Sequence, residues 1–545
     1  MKRIAPLLLV LPALAHALSS PDGQLQGAVQ VNAQQQLVYT VQRAGEPVLQ
    51  PSRLGLVLAH GDFAHGLALA ATSPVRLHRE RYTLVGKKRQ VEVRANEQQL
   101  TVANAAGQRM TVTLRAANDG VALRYTVGGP GRKTFQQELT SFAFAPDARA
   151  WLQPMSVAKT GWKRTNPSYE EHYQMDIPVG TAAPSHAGWV FPALFRSGAN
   201  WVALTEAGMD GRFHASRLAS DSTGGTYRFG TPEASEITPG GHLLADVDGP
   251  LITPWRVLAI GPLKTVMEST LGTDLAAPAV RFDKSKLRPG PASWSWALLK
   301  DEGTVFEVQK RFIDHAADMH WPYTLVDADW DRKIGDAKMK ELADYAKTKG
   351  VSLLAWYNSS GAWNDTEYSP KSALLTKADR AREFARMKAI GVKGLKVDFF
   401  GGDGASMQAY YLDLLKETAA AGLLLNFHGA TLPRGWARTY PNLLTVEAVK
   451  GFEFAKDQYV IFTPDELKEL EEKGTGTVDA ILPARSALVV LHHLSGFLLR
   501  AGFGLVASRC QSWGSSRFRL VETSLSGSLP FPATQVRTLR RFSPS

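Results

Sequence analysis

Five short stretches end in residues able to do chemistry: Asp327 with Asp329 and Trp330, Trp356 with Tyr357 and Asn358, Lys396 with Asp398, Asn426 with His428, and Glu447. Carboxylates can act as acids, bases or nucleophiles. Tryptophan and tyrosine beside amides suit a sugar ring, with its apolar faces for stacking and hydroxyl edges for hydrogen bonds. Two carboxylates across one site are what glycoside hydrolysis needs, one as acid and the other as nucleophile or base. Asp398 is the strongest candidate for the charged partner. Lys396, two residues earlier on the same face of a strand, could hold a neighbouring carboxylate or a sugar hydroxyl. Plainer readings stand beside these. An Asp after a strand is a common helix cap, Glu447 could be a surface carboxylate instead of an acid or metal ligand, and His428 could be a satisfied core histidine.

The elements that must position these residues alternate. Apolar residues at helical spacing run from Val305 to Met319, Lys338 to Lys349, Lys377 to Ile390 and Ser406 to Ala420. Between them lie short apolar runs, Tyr323 to Asp327, Val351 to Tyr357, Leu395 to Phe399 and Leu423 to His428, with a further one at Leu443 to Val446. Such alternation predicts parallel βα units, and functional residues at successive strand ends predict the C-terminal rim of a (β/α)8 TIM barrel. A doubly wound sheet would gather its ligand at one switch point, usually with a glycine-rich phosphate loop, and none is present. Upstream, from about Leu18 to Val280, the pattern changes to short alternating stretches such as Leu37 to Val41 and Met110 to Leu114, separated by turn residues. This reads as an antiparallel β-sandwich. The stretch from Lys284 to Pro291 reads as the linker.

A chain of 545 residues is too long for one compact core. Its 44% hydrophobic and 21% charged residues exclude wholesale disorder and fibrous repeats. One cysteine, Cys510, excludes an internal disulfide, zinc ribbons and iron–sulfur clusters, leaving oxygen-ligated metals. The net charge of +11 is concentrated at the end, where residues 481–545 carry eight arginines, no lysine and one acid, Glu522. No basic stripe remains elsewhere for nucleic acid. The start, Met1-Lys2-Arg3 followed by Leu7 to Leu11 and Ala15-His16-Ala17, has the form of a secretory signal peptide cut after Ala17. It implies export to a bacterial periplasm or beyond, with no membrane span in the body of the chain. The expected organisation is therefore 1–17 signal, 18–283 sandwich, 284–480 barrel and 481–545 an atypical Arg/Ser-rich segment.

Five ordered motifs carry a family likeness: Asp327-Ala-Asp-Trp-Asp331, Leu354-Ala-Trp-Tyr-Asn-Ser-Ser-Gly361, Leu395-Lys-Val-Asp-Phe-Phe-Gly-Gly-Asp403, Asn426-Phe-His-Gly-Ala-Thr-Leu-Pro-Arg-Gly435, and Arg438-Thr-Tyr-Pro-Asn442 followed by Glu447-Ala-Val-Lys-Gly-Phe-Glu453. Together they resemble glycoside hydrolase family 97. The resemblance implies an N-terminal β-super-sandwich, a catalytic (β/α)8 barrel, a small C-terminal β-domain and a calcium ion that helps bind and polarise an α-glycoside. That family contains inverting α-glucosidases and retaining enzymes, including α-galactosidases. Retaining members place an Asp nucleophile where this chain has Asp398, and inverting members a Glu where it has Gly429. The resemblance therefore implies retention, with Glu447, Glu453 or a Glu about twenty residues later supplying the acid/base and calcium-binding carboxylates, and with Glu170 and Glu206 as further calcium ligands. Asp327, Trp330, Trp356, Asn358, Lys396 and His428 are the expected contacts to an oligosaccharide or α-glycoside.

Past Glu453 the likeness decays. Thr463 to Lys473 reads as a capped charged helix, and only a weak Leu-Pro-x-Arg remains at Leu482 to Arg485. The tail is either a divergent end that closes the barrel or a frame-shifted end never selected to fold. An inverting α-glucosidase and a catalytically dead carbohydrate-binding relative are the competing readings of function.

Overall fold

The computed structural model describes residues 16–451 together with three strands, Tyr459–Ile461, Val506–Cys510 and Arg517–Val521, which pair antiparallel with one another. The hydrophobic run of the expected export signal, Glu453 and the charged stretch from Thr463 to Lys473 lie outside the described residues, as does most of the Arg/Ser-rich segment.

The N-terminal half is β-rich, built on a seven-stranded sheet, an eleven-stranded sheet and a smaller four-stranded one. Alternation along the strands decides which face is inside: in Leu37–Arg43, Leu37, Tyr39 and Val41 are buried while the residues between them are half-exposed. The two large sheets meet where Gly27 of one lies against Leu114 and Val121 of the other. Their apolar faces share one core, with Leu25, Val29, Tyr39 and Val41 from the first and Leu114, Leu123 and Tyr125 from the second.

The C-terminal half is a six-stranded parallel sheet in consecutive order. We label its strands β1 (Ala292–Trp294), β2 (Tyr323–Val326), β3 (Ser352–Asn358), β4 (Gly394–Asp398), β5 (Leu424–Phe427) and β6 (Leu443–Val446). Four helices connect the first five: α1 (Phe306–Asp318), α2 (Gly335–Thr348), α3 (Lys377–Ile390) and α4 (Ala405–Ala421). Helix α3 starts where the Thr376 hydroxyl accepts from the Asp379 N–H, and it stops at Gly391, whose φ of 103° suits a residue without a Cβ. The described residues thus form a half-barrel sheet of six strands. Strand β1 was not anticipated, because three residues are too few to show a period.

Parallel order places every strand's C-terminus on one rim. Asp398 ends β4, Asp327 follows β2, His428 follows β5 and Glu447 follows β6. Register lines up Trp356 with Lys396, and Asn358 with Asp398. The N-terminal half reaches this rim through loops: the Tyr169 N–H donates to the Ala430 carbonyl, and the Gly208 N–H to that of Arg434.

Candidate active site

Asp398 is buried, and both its carboxylate oxygens are held. Oδ1 accepts the Phe399 N–H at 2.9 Å, Oδ2 accepts the Trp356 indole N–H at 3.0 Å, and the Lys396 ammonium lies 3.5 Å away. Burial pushes the carboxyl above its usual range, while Lys396 and His428 favour the ionised form. Phe399 holds a φ of 63°, an uncommon value for a bulky side chain, and this is what turns its N–H back onto the Asp398 carboxylate. Gly429 makes the room: a Cβ there would lie 2.8 Å from Asp398 Oδ1 and 2.8 Å from Phe399 N. Asp398 and Gly429 are therefore a sterically linked pair.

Lys396 points along the same face as Asp398 and bridges to Asp327, with Nζ 3.1 Å from Oδ2. The same Asp327 oxygen accepts the Trp294 indole N–H at 2.6 Å, and the ammonium sits 4.3 Å from the centre of the Trp294 ring. Lys396 therefore holds a carboxylate, one of the roles its place on the strand allowed, although that carboxylate follows β2, two strands away, and was not singled out as its partner by the sequence. Trp294, from the unanticipated β1, was missed; an indole ending a three-residue strand leaves no sequence signal.

On the other side of the rim, His428 Nδ1 lies 2.7 Å from Glu447 Oε2, and both residues are buried. Burial opposes ionisation of Glu447, but His428, the hydrogen bond to it, and Lys396 outweigh burial and bring its carboxyl down to about 2. A carboxyl whose ionised form is favoured by its neighbours is better placed to meet a cation than to donate a proton. It suits a permanently charged ligand. The Glu170 side chain is in hydrogen-bond contact with Glu447, and Ser168 donates to Glu170 Oε2 at 2.6 Å. Two carboxylates meet in this way only across a shared proton or a cation. Among the described residues no group of three or more His, Cys, Asp or Glu side chains converges as a metal site. The Glu170 and Glu447 pair is the part of the expected ligand set that the fold brings together.

Three expected roles fail on geometry. Trp330 is fully buried, donates its indole N–H to the Trp356 carbonyl and packs against Tyr357 and the Arg386 guanidinium, so it is core and reaches no ligand. Asn358 is consumed by its own turn, donating to Thr366 Oγ1 and accepting from the Ser360 N–H, so it cannot serve as a sugar contact. Glu206 is no metal ligand. It lies buried between two guanidiniums, 2.7 Å from Arg256 and 2.5 Å from Arg434, and it also accepts the Ser216 N–H. Glu453 is beyond the described residues.

Glu206 belongs to a buried charge network that the sequence did not reveal. Arg256 joins Glu206 to Glu138, and Arg434 joins Glu206 to Asp403, which accepts from the Tyr169 hydroxyl at 2.7 Å. Glu236 pairs with Arg217 and accepts the Asp403 N–H. The network clamps the loops after β4 and β5, which flank Asp398 and Gly429, onto the N-terminal half, and through Tyr169 it also orders the segment carrying Glu170.

Carboxylates and a lysine on the C-terminal rim of a parallel βα sheet, joined to a large β-rich domain, define a class of sugar-processing enzymes. The chain belongs to glycoside hydrolase family 97: residues 18–278 match that family's N-terminal domain and residues 289–449 its catalytic domain. It is 34% identical over 450 residues to a probable retaining alpha-galactosidase of Streptomyces bingchenggensis, covering 80% of this chain. This chain spans 65% of that relative's length. A beta-arabinopyranosidase crystal structure matches with a TM-score of 0.77 at 38% identity, over 81% of this chain and 70% of that one. A glycoside hydrolase family 97 enzyme variant from Pseudoalteromonas sp. strain K8 shares the fold, with a TM-score of 0.67 at 22% identity over the same shares.

Proposed function

We propose that this chain is an exported, calcium-dependent enzyme that hydrolyses terminal α-galactosides with retention of configuration. The observation that carries the reading is Asp398: a buried carboxylate, oriented by two N–H donors and a lysine, in a space that only glycine at 429 leaves open. In this reading one Asp398 oxygen attacks the anomeric carbon from the β-face as the bond to the leaving oxygen breaks. Glu453 donates the proton to that oxygen. Water, deprotonated by the same Glu, then attacks the glycosyl ester, returns the sugar as its α-anomer and frees Asp398. Lys396 and Asp327 hold sugar hydroxyls, Trp356 orients the nucleophile, and His428 orients Glu447.

Glu170 and Glu447 fit calcium because it prefers several carboxylate oxygens, and when bound it would polarise the glycoside. If they hold it, adding calcium raises the Tm of the wild type and leaves that of Glu170→Gln unchanged. An equal rise in both would remove Glu170 from the site.

Time-resolved proton NMR of an aryl α-galactoside tests the reaction. A first-formed α-anomer supports retention, a β-anomer sinks it, and no turnover favours a carbohydrate-binding relative. A second reading rests on the 38% identity to the beta-arabinopyranosidase. β-L-Arabinopyranose has the ring stereochemistry of α-D-galactopyranose without its hydroxymethyl group, so a comparison of kcat/KM for the two aryl glycosides decides between them.

A further inference from the structure

We propose that Trp162, delivered by the N-terminal half, forms the stacking surface of an aglycone subsite beside Asp398, binding the ring of the leaving sugar. The inference rests on the glycosidase reading and deepens it.

An aromatic path leads outward from the candidate nucleophile. Trp356 is buried and bonded to Asp398. It meets Phe399 and Tyr368 edge-on, at 5.8 and 6.2 Å between ring centres. Tyr368 and Phe399 lie nearly parallel to each other, 14° apart, and both are half-buried. Trp162 is inclined over both, at 5.9 and 6.1 Å, and is 56% exposed. The path therefore runs from the reacting carboxylate to an indole open to solvent, where a departing ring would lie. Hydrogen-bonding groups flank it: the Tyr368 hydroxyl donates to Asp301 Oδ2 at 2.9 Å, and Asp301 Oδ1 accepts the Trp296 indole N–H at 2.8 Å. Aromatic faces with a carboxylate at the edge are what a pyranose requires.

The loop holding Trp162 is built to be held in place. Lys159, Lys163 and Arg164 all have positive φ, a costly conformation that persists only where the surroundings impose it. They do so here. Lys159 Nζ donates to the Trp363 carbonyl at 2.9 Å, the Asp365 N–H donates to the Lys163 carbonyl at 2.8 Å, and Arg164 pairs with Asp365 at 3.3 Å. Every tether ends on the barrel loop between β3 and α3, so an indole from one half of the molecule is fixed against the rim of the other.

The test compares leaving groups in the full-length chain. Trp162→Ala should lower kcat/KM for an α-galactosyl disaccharide about tenfold more than for α-galactosyl fluoride, whose leaving atom reaches no aglycone site. The loss should lie mainly in KM, and Trp162→Phe should restore most of it. Equal losses on both substrates would reduce Trp162 to a packing residue and overturn the proposal. If the wild type turns over neither substrate, the glycosidase reading fails by itself, and titration with galactose and with the disaccharide decides the subsite. Tighter disaccharide binding that disappears in Trp162→Ala supports it. No difference between the two sugars in the wild type removes it.

Discussion

Two clusters of buried charge lie near the same loops and are built differently. In the interdomain network every carboxylate meets a guanidinium: Glu138 and Glu206 share Arg256, Glu206 and Asp403 share Arg434, and Glu236 takes Arg217. Surrounding acids hold Arg217 and Arg434 protonated more firmly than usual, against the cost of burial. At the rim, Asp327, Asp398, Glu447 and Glu170 gather around one lysine and one histidine. The planar guanidinium fork saturates a carboxylate, whereas an ammonium is a point charge that leaves lone pairs open. Saturated charge builds the scaffold, and in the proposed reading the unsaturated charge at the rim is what substrate and cation would meet. The misassignment of Glu206 follows from this contrast.

The contrast can be broken most sharply at Asp398. Asp398→Ala should lower kcat by about 10⁴-fold with the melting temperature nearly unchanged, and azide should restore turnover by standing in for the lost nucleophile. A residual rate within tenfold of wild type would remove it from the reaction. On the scaffold side, Arg434→Met removes the guanidinium that Glu206 and Asp403 share, leaving Glu206 to Arg256 and Asp403 to Tyr169 and Arg217, and should cost about 3–5 kcal/mol of stability by denaturant unfolding. A loss below 1 kcal/mol would mean that this network is not the scaffold described here. Gly429→Ala falls between the two clusters. Its Cβ would displace the Asp398 carboxylate or the Phe399 N–H, so kcat should fall about 10²-fold while far-UV circular dichroism stays as in the wild type. Wild-type kinetics would show that the Asp398 pocket has slack.

The smaller effects are pH shifts. Lys396 favours ionised Asp398, so Lys396→Met should move the acid limb of kcat/KM to higher pH, and a shift to lower pH would contradict the assignment. Glu447 is depressed in the folded protein, so its contribution to stability is present above its ordinary value of 4.5 and is lost as pH falls toward about 2. Glu447→Gln should therefore flatten the acid side of the stability profile, read as Tm against pH.

Much of this was legible in the chain itself. Helix α3 runs from Lys377 to Ile390 as its apolar spacing suggested, and strand β6 runs from Leu443 to Val446 as its apolar run suggested. Period and end signals are local, so they survive without tertiary knowledge. The alternation of strands and helices also gave the parallel order, which puts Asp327, Asp398, His428 and Glu447 on one rim. Which side chains face the cleft was not legible. Trp330 and Trp356 both sit beside a strand end, yet the first packs into the core and the second donates to Asp398. Glu170 and Glu206 are equally plausible carboxylates in sequence, but only Glu170 reaches the rim, because Glu206 meets arginines 50 and 228 residues away along the chain. Residue types and periods are set by the chain one segment at a time. Pairings across such separations arise only when two domains close on each other, so the tertiary structure alone decided which charges are neutralised and which remain for chemistry.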